Sequence, residues 1–156
     1  MTTSASLGLD GLAERLMARL PSGAVITDRV QLRTFECDGL AHYRAVPGLV
    51  VLATSAADVA ATVSECAAAG VPFVARGSGT GLSGGALPRA DGVLIVTSKL
   101  RTVHEVDIAN QRAVVDPGVI NLEVTRAAAP WGYHYAPDPS SQQVCSIGGN
   151  VAENSG

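Results

Sequence analysis

Hydrophobic positions change their period several times along the chain. From Leu9 to Leu20 the apolar residues Leu9, Leu12, Ala13, Leu16, Met17 and Leu20 recur at helical spacing, which predicts an amphipathic helix stopped by Pro21, Ser22 and Gly23. Residues 27–47 mix charges with isolated aromatics at no fixed period, so they predict an irregular or turn-rich lead-in to which no function attaches. Leu49 to Ala53 is a short apolar run of the kind that forms a buried strand. Thr54 or Ser55 then caps a helix extending to Gly70, with Val59, Val63 and Cys66 on its inward side. Pro72 to Ala75 and Gly92 to Thr97 predict two more strands, the second carrying Val93, Leu94, Ile95 and Val96 in succession. Continuous rather than alternating apolar runs point to a buried, at least partly parallel sheet.

The second half reads differently. Thr102 to Asp107 and Arg112 to Asp116 predict an antiparallel pair joined by Ile108, Ala109, Asn110 and Gln111, with Asn110 suited to unusual dihedrals. Asn121 is placed to cap a helix through Ala129, and from Pro130 to Gly156 prolines and glycines predict loop throughout. A closing loop with no element after it to anchor it predicts a chain cut within a larger fold.

Composition narrows the function. Charged residues make up 16% of the chain, below the roughly 25% usual for soluble domains, which predicts surface meant to be covered. Lys plus Arg number 11 against 14 Asp plus Glu with no basic block, which excludes a nucleic-acid partner. Cys37, Cys66 and Cys145 are odd in number and widely spaced, a poor disulfide framework that fits a reducing compartment. With His42, His104 and His134 they show no zinc-like spacing, so no metal is expected. The start lacks the basic and apolar regions of a secretory signal, and no uncharged apolar run is long enough to span a bilayer. The expectation is a soluble or peripheral protein.

Glycine is in excess, 17 of 156 residues, and it concentrates in the run R-G-S-G-T-G-L-S-G-G from Arg76 to Gly85, directly after a predicted strand. Glycines let backbone amides converge without Cβ obstruction, and Ser78, Thr80 and Ser83 add short hydroxyl donors, a composition that cradles a phosphate or diphosphate. A glycine-rich turn serving a close chain crossing is the bland alternative. Three motif patterns overlap here. Gly79, Gly81 and Gly84 fit G-x-G-x-x-G, but the dinucleotide fold needs a helix starting within it, and Leu87 to Gly92 lead to another strand. Gly81, Ser83 and Gly85 fit a nucleophile elbow, yet no His follows Asp138 to complete a triad. Ala86 and Leu87 stand where a P-loop requires Lys and Ser or Thr.

A second stretch, P-D-P-S-S-Q-Q-V-C-S-I-G-G-N-V-A-E-N-S-G from Pro137 to Gly156, is almost uncharged and suits a backbone wall lining a large neutral ligand. A surface loop of turn formers is the alternative. His134 and Tyr135 beside it carry an imidazole and a phenol able to act as acid or base, though packing explains them as well. Cys145 reads as a small buried thiol.

Together the two stretches resemble the flavin-binding loops of the PCMH-type FAD-binding oxidase domain of the vanillyl-alcohol oxidase superfamily. They are most like the glycolate oxidase flavoprotein subunit and related D-lactate dehydrogenases. The resemblance implies an α+β fold of mixed sheets with flanking helices, with residues 1–47 as lead-in and 48–156 as the first part of the flavin domain. A C-terminal cap domain would lie beyond the chain. It implies FAD as a noncovalent cofactor, because no His lies between His42 and His104 to take the place of the covalently joined His of some relatives. By the same resemblance Gly77, Ser78, Gly79, Thr80 and Gly81 hold the diphosphate. Pro139, Ser140, Ser141, Ser146, Gly149 and Asn150 line the flavin. Arg76 either screens the diphosphate or turns away to pair with a carboxylate. The implied reaction is oxidation of a 2-hydroxy acid, glycolate or D-lactate, to the 2-oxo acid, with the substrate held by the cap. Aryl-alcohol, sugar or enolpyruvyl chemistry on the same fold, or a nonenzymatic dinucleotide-binding module, is the alternative. Further oxidase subunits are implied as partners, in a cytoplasmic protein peripheral to the inner membrane. No residue of this chain is assigned a catalytic role.

Overall fold

The computed structural model describes the backbone of residues 4–155 and the side chains of residues 8–155. The first helix, α1 (Ser4–Arg19), buries Leu12, Ala13 and Leu16, whereas Met17, on the stripe by spacing, is half exposed. The chain then turns into a two-residue strand, β1 (Val25–Ile26), which pairs antiparallel with β2 (Leu49–Leu52). A helix, α3 (Ala56–Ala69), links β2 to β3 (Phe73–Arg76), and β4 (Val93–Val96) inserts between them, parallel to both. The strand order is β1-β2-β4-β3, so the predicted buried, partly parallel sheet is present, with its apolar β4 at an interior position.

Both faces of this sheet are covered, which is why β2 and β4 have apolar residues at every position. Leu49, Val51, Val93 and Ile95 face one core with Leu12 and Leu16 of α1 and Cys66 of α3. Val59 and Val63 pack against its edge, while the most buried line of α3 is Asp58, Thr62 and Cys66. Val50, Leu94 and Val96 face a second core closed by Leu32, Phe35 and Val46. Those last residues lie in the segment expected to be irregular. It holds a one-turn helix, α2 (Arg29–Leu32), and a 3-10 turn at Arg33–Phe35. Asp28 accepts hydrogen bonds from the amides of Val30 and Gln31 at 3.1 and 3.0 Å and caps the first. The local cap and the need to cover the sheet, rather than periodicity, set its structure.

The hairpin of β5 (Val103–Asp107) and β6 (Arg112–Val115) forms as expected, but Gln111, not Asn110, takes the left-handed conformation, with φ of 52°. The Asp107 carboxylate accepts from the Asn110 amide and side chain at 3.1 and 2.7 Å and fixes that residue instead. The helix α4 (Asn121–Ala128) is also present, but Asn121 does not cap it. Ile120 holds the cap position, its N–H donating to the Glu123 carboxylate at 3.1 Å, and the buried Asn121 side chain donates to the Pro137 carbonyl. The expected loop from Pro130 onward contains a 3-10 turn at Ala129–Trp131 and a two-turn helix, α5 (Ile147–Glu153). Its first amides, those of Ile147 and Gly148, bond to the carbonyls of Val119 and Pro117 at 2.9 and 2.8 Å. Tertiary partners therefore satisfy the start of a helix that local propensity disfavours.

The start of α3 makes a direct stability test. Asp58 accepts from the Thr54 amide and hydroxyl, each at 2.8 Å, and from the Ser55 amide at 3.1 Å, while the Ser55 hydroxyl accepts from the Asp58 amide. Burial opposes ionisation of Asp58, but these hydrogen bonds outweigh it and hold the carboxyl below its ordinary range. Asp58→Ala is expected to cost about 1–2 kcal/mol in urea unfolding at neutral pH. Because the folded pKa is depressed, the contribution is present above the unfolded value of about 3.9 and is lost as pH falls through the folded one. The difference between wild type and variant should therefore shrink in unfolding curves recorded in strong acid.

Candidate functional site

The glycine run leaves the end of β3 and passes as loop to β4, with no helix beginning between them. This removes both the dinucleotide-fold and the nucleophile-elbow readings, each of which needs a strand, a turn and then a helix. The run faces the second small-residue stretch across a cavity of about 620 Å³. That volume lies within the roughly 300–1,000 Å³ of sites that bury a small molecule or cofactor.

The two stretches converge as the sequence suggested. Arg76, Gly77, Ser78, Gly79, Thr80 and Gly81 line one wall of the cavity. Ser140, Ser141, Ser146, Gly149 and Asn150 line the other, together with the buried Cys145. Pro139 does not line it; its carbonyl accepts the Gln142 amide at 2.8 Å and shapes the turn behind the wall. His134 and Tyr135 also lie outside. The His134 side chain is exposed, and the Tyr135 amide is bonded to the Thr125 hydroxyl at 3.1 Å.

Each wall is tied to the body of the fold. Thr97, just past β4, donates its amide to the Arg76 carbonyl at 2.8 Å and so sets where the glycine run departs. The second wall rests on residues 117–122, where Ile120 and Ser146 form an antiparallel bridge and the Asn121 amide donates to the Cys145 carbonyl at 3.0 Å. Ser146 then joins the walls. It stands at the N-cap position of α5 but does not cap it; its hydroxyl, 2% exposed, accepts from the Ser78 amide at 3.3 Å. A Cβ added at Gly77 would overlap that hydroxyl, so the closeness of the walls depends on glycine there.

Among the lining residues only Arg76 and Glu153 carry charge. The Glu153 carboxylate lies against Gly81 and Gly85, where an added Cβ would meet its oxygen at 2.7 and 2.9 Å. The Arg76 guanidinium lies against Gly79 and donates to the Phe35 carbonyl at 3.2 Å. Burial lowers its pKa, and the nearby Asp38 carboxylate opposes that shift. The guanidinium is bonded to a carbonyl rather than paired with a carboxylate. Residues 35–39 thus back the glycine run, a role that residue pattern did not reveal. Only the turn-forming Asp38 and Gly39 hinted at it.

The remaining lining consists of backbone amides, hydroxyls and small apolar groups, a surface that offers many hydrogen-bond donors and no paired acid and base. Asn150 adds a side chain that is 5% exposed and whose Nδ2 has no hydrogen-bond partner. Such an unsatisfied buried donor calls for a partner that the fold itself does not supply.

Donor-rich loops of this kind, set at the edge of a sheet covered on both faces, define a domain built to hold a nucleotide cofactor. The chain belongs to the FAD binding domain family, which matches residues 47–156. It is 47% identical over 141 residues to the glycolate oxidase subunit GlcD of Escherichia coli K12, covering 90% of this chain and 28% of that protein. It is 32% identical over 146 residues to a D-lactate dehydrogenase of Anaerostipes hadrus, covering 93% and 30%. Among solved structures, an alkyldihydroxyacetonephosphate synthase superposes with a TM-score of 0.80 at 21% identity over 92% of this chain and 29% of that one, a likeness of fold. The chain thus spans less than a third of the length of the curated relatives it matches. The residues present fit FAD on their own chemistry: glycine at every second position from Gly77 to Gly81 lets backbone amides approach a diphosphate, and the Asn150 donor has no partner within the fold.

The junction of the walls is testable. Gly77→Ala is expected to weaken FAD binding about tenfold or more, equivalent to ~1.4 kcal/mol or above, because the Ser146 hydroxyl has to move. Adding Ser146→Gly should restore part of the loss. Fluorescence titration of the apoprotein with FAD reads both effects as a double-mutant cycle.

Proposed function

We propose that the chain is the FAD-binding part of a flavin-dependent oxidoreductase that oxidises a 2-hydroxy acid, glycolate or D-lactate, to the 2-oxo acid. The carrying observation is the cavity itself: two donor-rich loops closed on each other through Ser146, with no acid-base pair among the lining side chains. Such a site binds and orients. The redox step belongs to a bound group, and FAD supplies a two-electron acceptor for a hydride equivalent.

In this reading the amides of Gly77 to Gly81, with the Ser78 and Thr80 hydroxyls, hold the diphosphate. Ser140, Ser141, Gly149 and Asn150 contact the flavin, and Ser146 keeps the two groups in register. Pro139 shapes the second wall from behind, and Arg76 supports the first from behind. Binding is noncovalent, in keeping with the absence of any His between His42 and His104. The substrate is held by residues outside this chain, in a cap domain that follows the flavin domain. The name of the Escherichia coli relative, an oxidase subunit, supports assembly with further subunits, and the location proposed is the cytoplasm, peripheral to the inner membrane. Among the described residues no helix is long and apolar enough to cross a membrane, so that attachment is peripheral in this reading.

The full-length protein is expected to purify yellow, to release FAD on denaturation, and to lose flavin absorbance when glycolate or D-lactate is added without oxygen. A colourless protein that FAD does not reconstitute contradicts the cofactor assignment. A yellow protein bleached by an aryl alcohol or a sugar, but by neither acid, contradicts the substrate. One bleached by none of these is a dinucleotide-binding module rather than an enzyme of this class.

A further inference from the structure

We propose that the turn from Phe35 to Gly39 is a positioning element for the glycine run, and that it sets cofactor affinity without touching the cofactor. The inference rests on the FAD reading of the cavity and concerns residues that lie behind its wall.

Gly39 is packed directly against the run. A Cβ added there would lie 2.6 Å from the Thr80 carbonyl oxygen and 2.7 Å from that of Gly81. In a trans peptide the carbonyl and the following N–H point in opposite directions. With the Thr80 and Gly81 carbonyls against Gly39, the amides of Gly81 and Leu82 are turned to the far side, and Gly81 and Leu82 both line the cavity. The absence of a side chain at Gly39 is therefore what aims two donors at the ligand space.

The neighbouring contacts hold the bend that precedes them. Gly79 has φ of +69°, and a Cβ on it would meet Nε, Nη2 and Cζ of Arg76 at 2.5–2.8 Å, so the guanidinium lies against its α-carbon. The same guanidinium is anchored on the Phe35 carbonyl. Asp38 is 7% exposed; its Oδ1 accepts the Leu40 amide at 2.9 Å, and its Oδ2 is buried with no partner. A buried carboxylate with an unpaired oxygen is tolerated only where a cation compensates it. The Arg76 guanidinium that braces Gly79 lies near enough to feel that charge without forming an ion pair with it. Removing the Asp38 charge takes away an attraction on the guanidinium, whose direct anchor is the Phe35 carbonyl.

Two variants of the full-length protein separate the parts. Gly39→Ala pushes on the two carbonyls. Asp38→Asn keeps an oxygen for the Leu40 amide and removes only the charge facing Arg76. For each, the FAD dissociation constant is measured by fluorescence titration of the apoprotein, and hydrogen exchange is followed at residues 77–82 and at the β5–β6 hairpin. Gly39→Ala is expected to raise the constant about tenfold and Asp38→Asn about threefold or more, with faster exchange confined to residues 77–82. Constants within about twofold of wild type and unchanged exchange overturn the proposal. So does weaker binding accompanied by equally faster exchange in the hairpin, which is what a general loss of stability produces. If Gly39→Ala does not fold, Asp38→Asn decides alone by the same readouts. If wild-type apoprotein binds no FAD, the cofactor reading fails, and exchange at residues 77–82 in the variants still sustains or overturns the positioning role.

Discussion

The site depends on a contact in which no side chain separates the two walls: the Ser146 hydroxyl accepting the Ser78 amide across Gly77. Two segments distant in sequence meet there at a separation that a single methyl group would spoil. Backbone hydrogen bonding ties both sides of the contact to the sheet and to residues 117–120. The glycine run is fixed by Thr97 at the end of β4, and the second wall by its bridge to Ile120 and its bonds to Pro117 and Val119. The Ser146 side chain is thereby withdrawn from the helix cap it is placed to make and used to close the cavity.

Charge follows the same economy. In the proposed reading, a pocket that receives a diphosphate in a chain of net charge −3 has one cation in its lining, and that cation is bonded to a backbone carbonyl. Attraction for the anion then rests on oriented amides, which carry no counter-ion requirement of their own and need only be aimed. Aim comes from the layers beneath: β4, buried at every position and parallel to both neighbours, fixes the strand ends from which the run starts and to which it returns. The low charged fraction noted in the sequence finds a structural counterpart, since Leu82, Val144 and Val151 in and beside the two stretches are each more than half exposed.

The sheet was legible because β2 and β4 are apolar at every position, and the two site stretches because small residues and amides collect there. What escaped were features created by tertiary contact. The helix Ile147–Glu153 begins with two glycines after its first residue, and only the carbonyls of Pro117 and Val119 make that start acceptable. Residues 27–47 lack periodicity because they do not repeat a face; they drop Leu32 and Phe35 into one core and lay Gly39 against the glycine run. Arg76 could not be oriented from sequence, since its hydrogen-bond partner, the carbonyl of Phe35, lies far from it along the chain. Eleven of the candidate residues line one cavity, and Pro139 is left out because it acts through its carbonyl on the turn behind.

A crystal structure of the full-length protein with FAD tests the central claim most directly. The account predicts diphosphate oxygens within about 2.7–3.2 Å of the amides between Gly77 and Leu82, Asn150 Nδ2 bonded to the cofactor, and Ser146 still bonded to Ser78. A diphosphate bound elsewhere, or walls drawn apart so that Ser146 contacts the cofactor instead of Ser78, would contradict it.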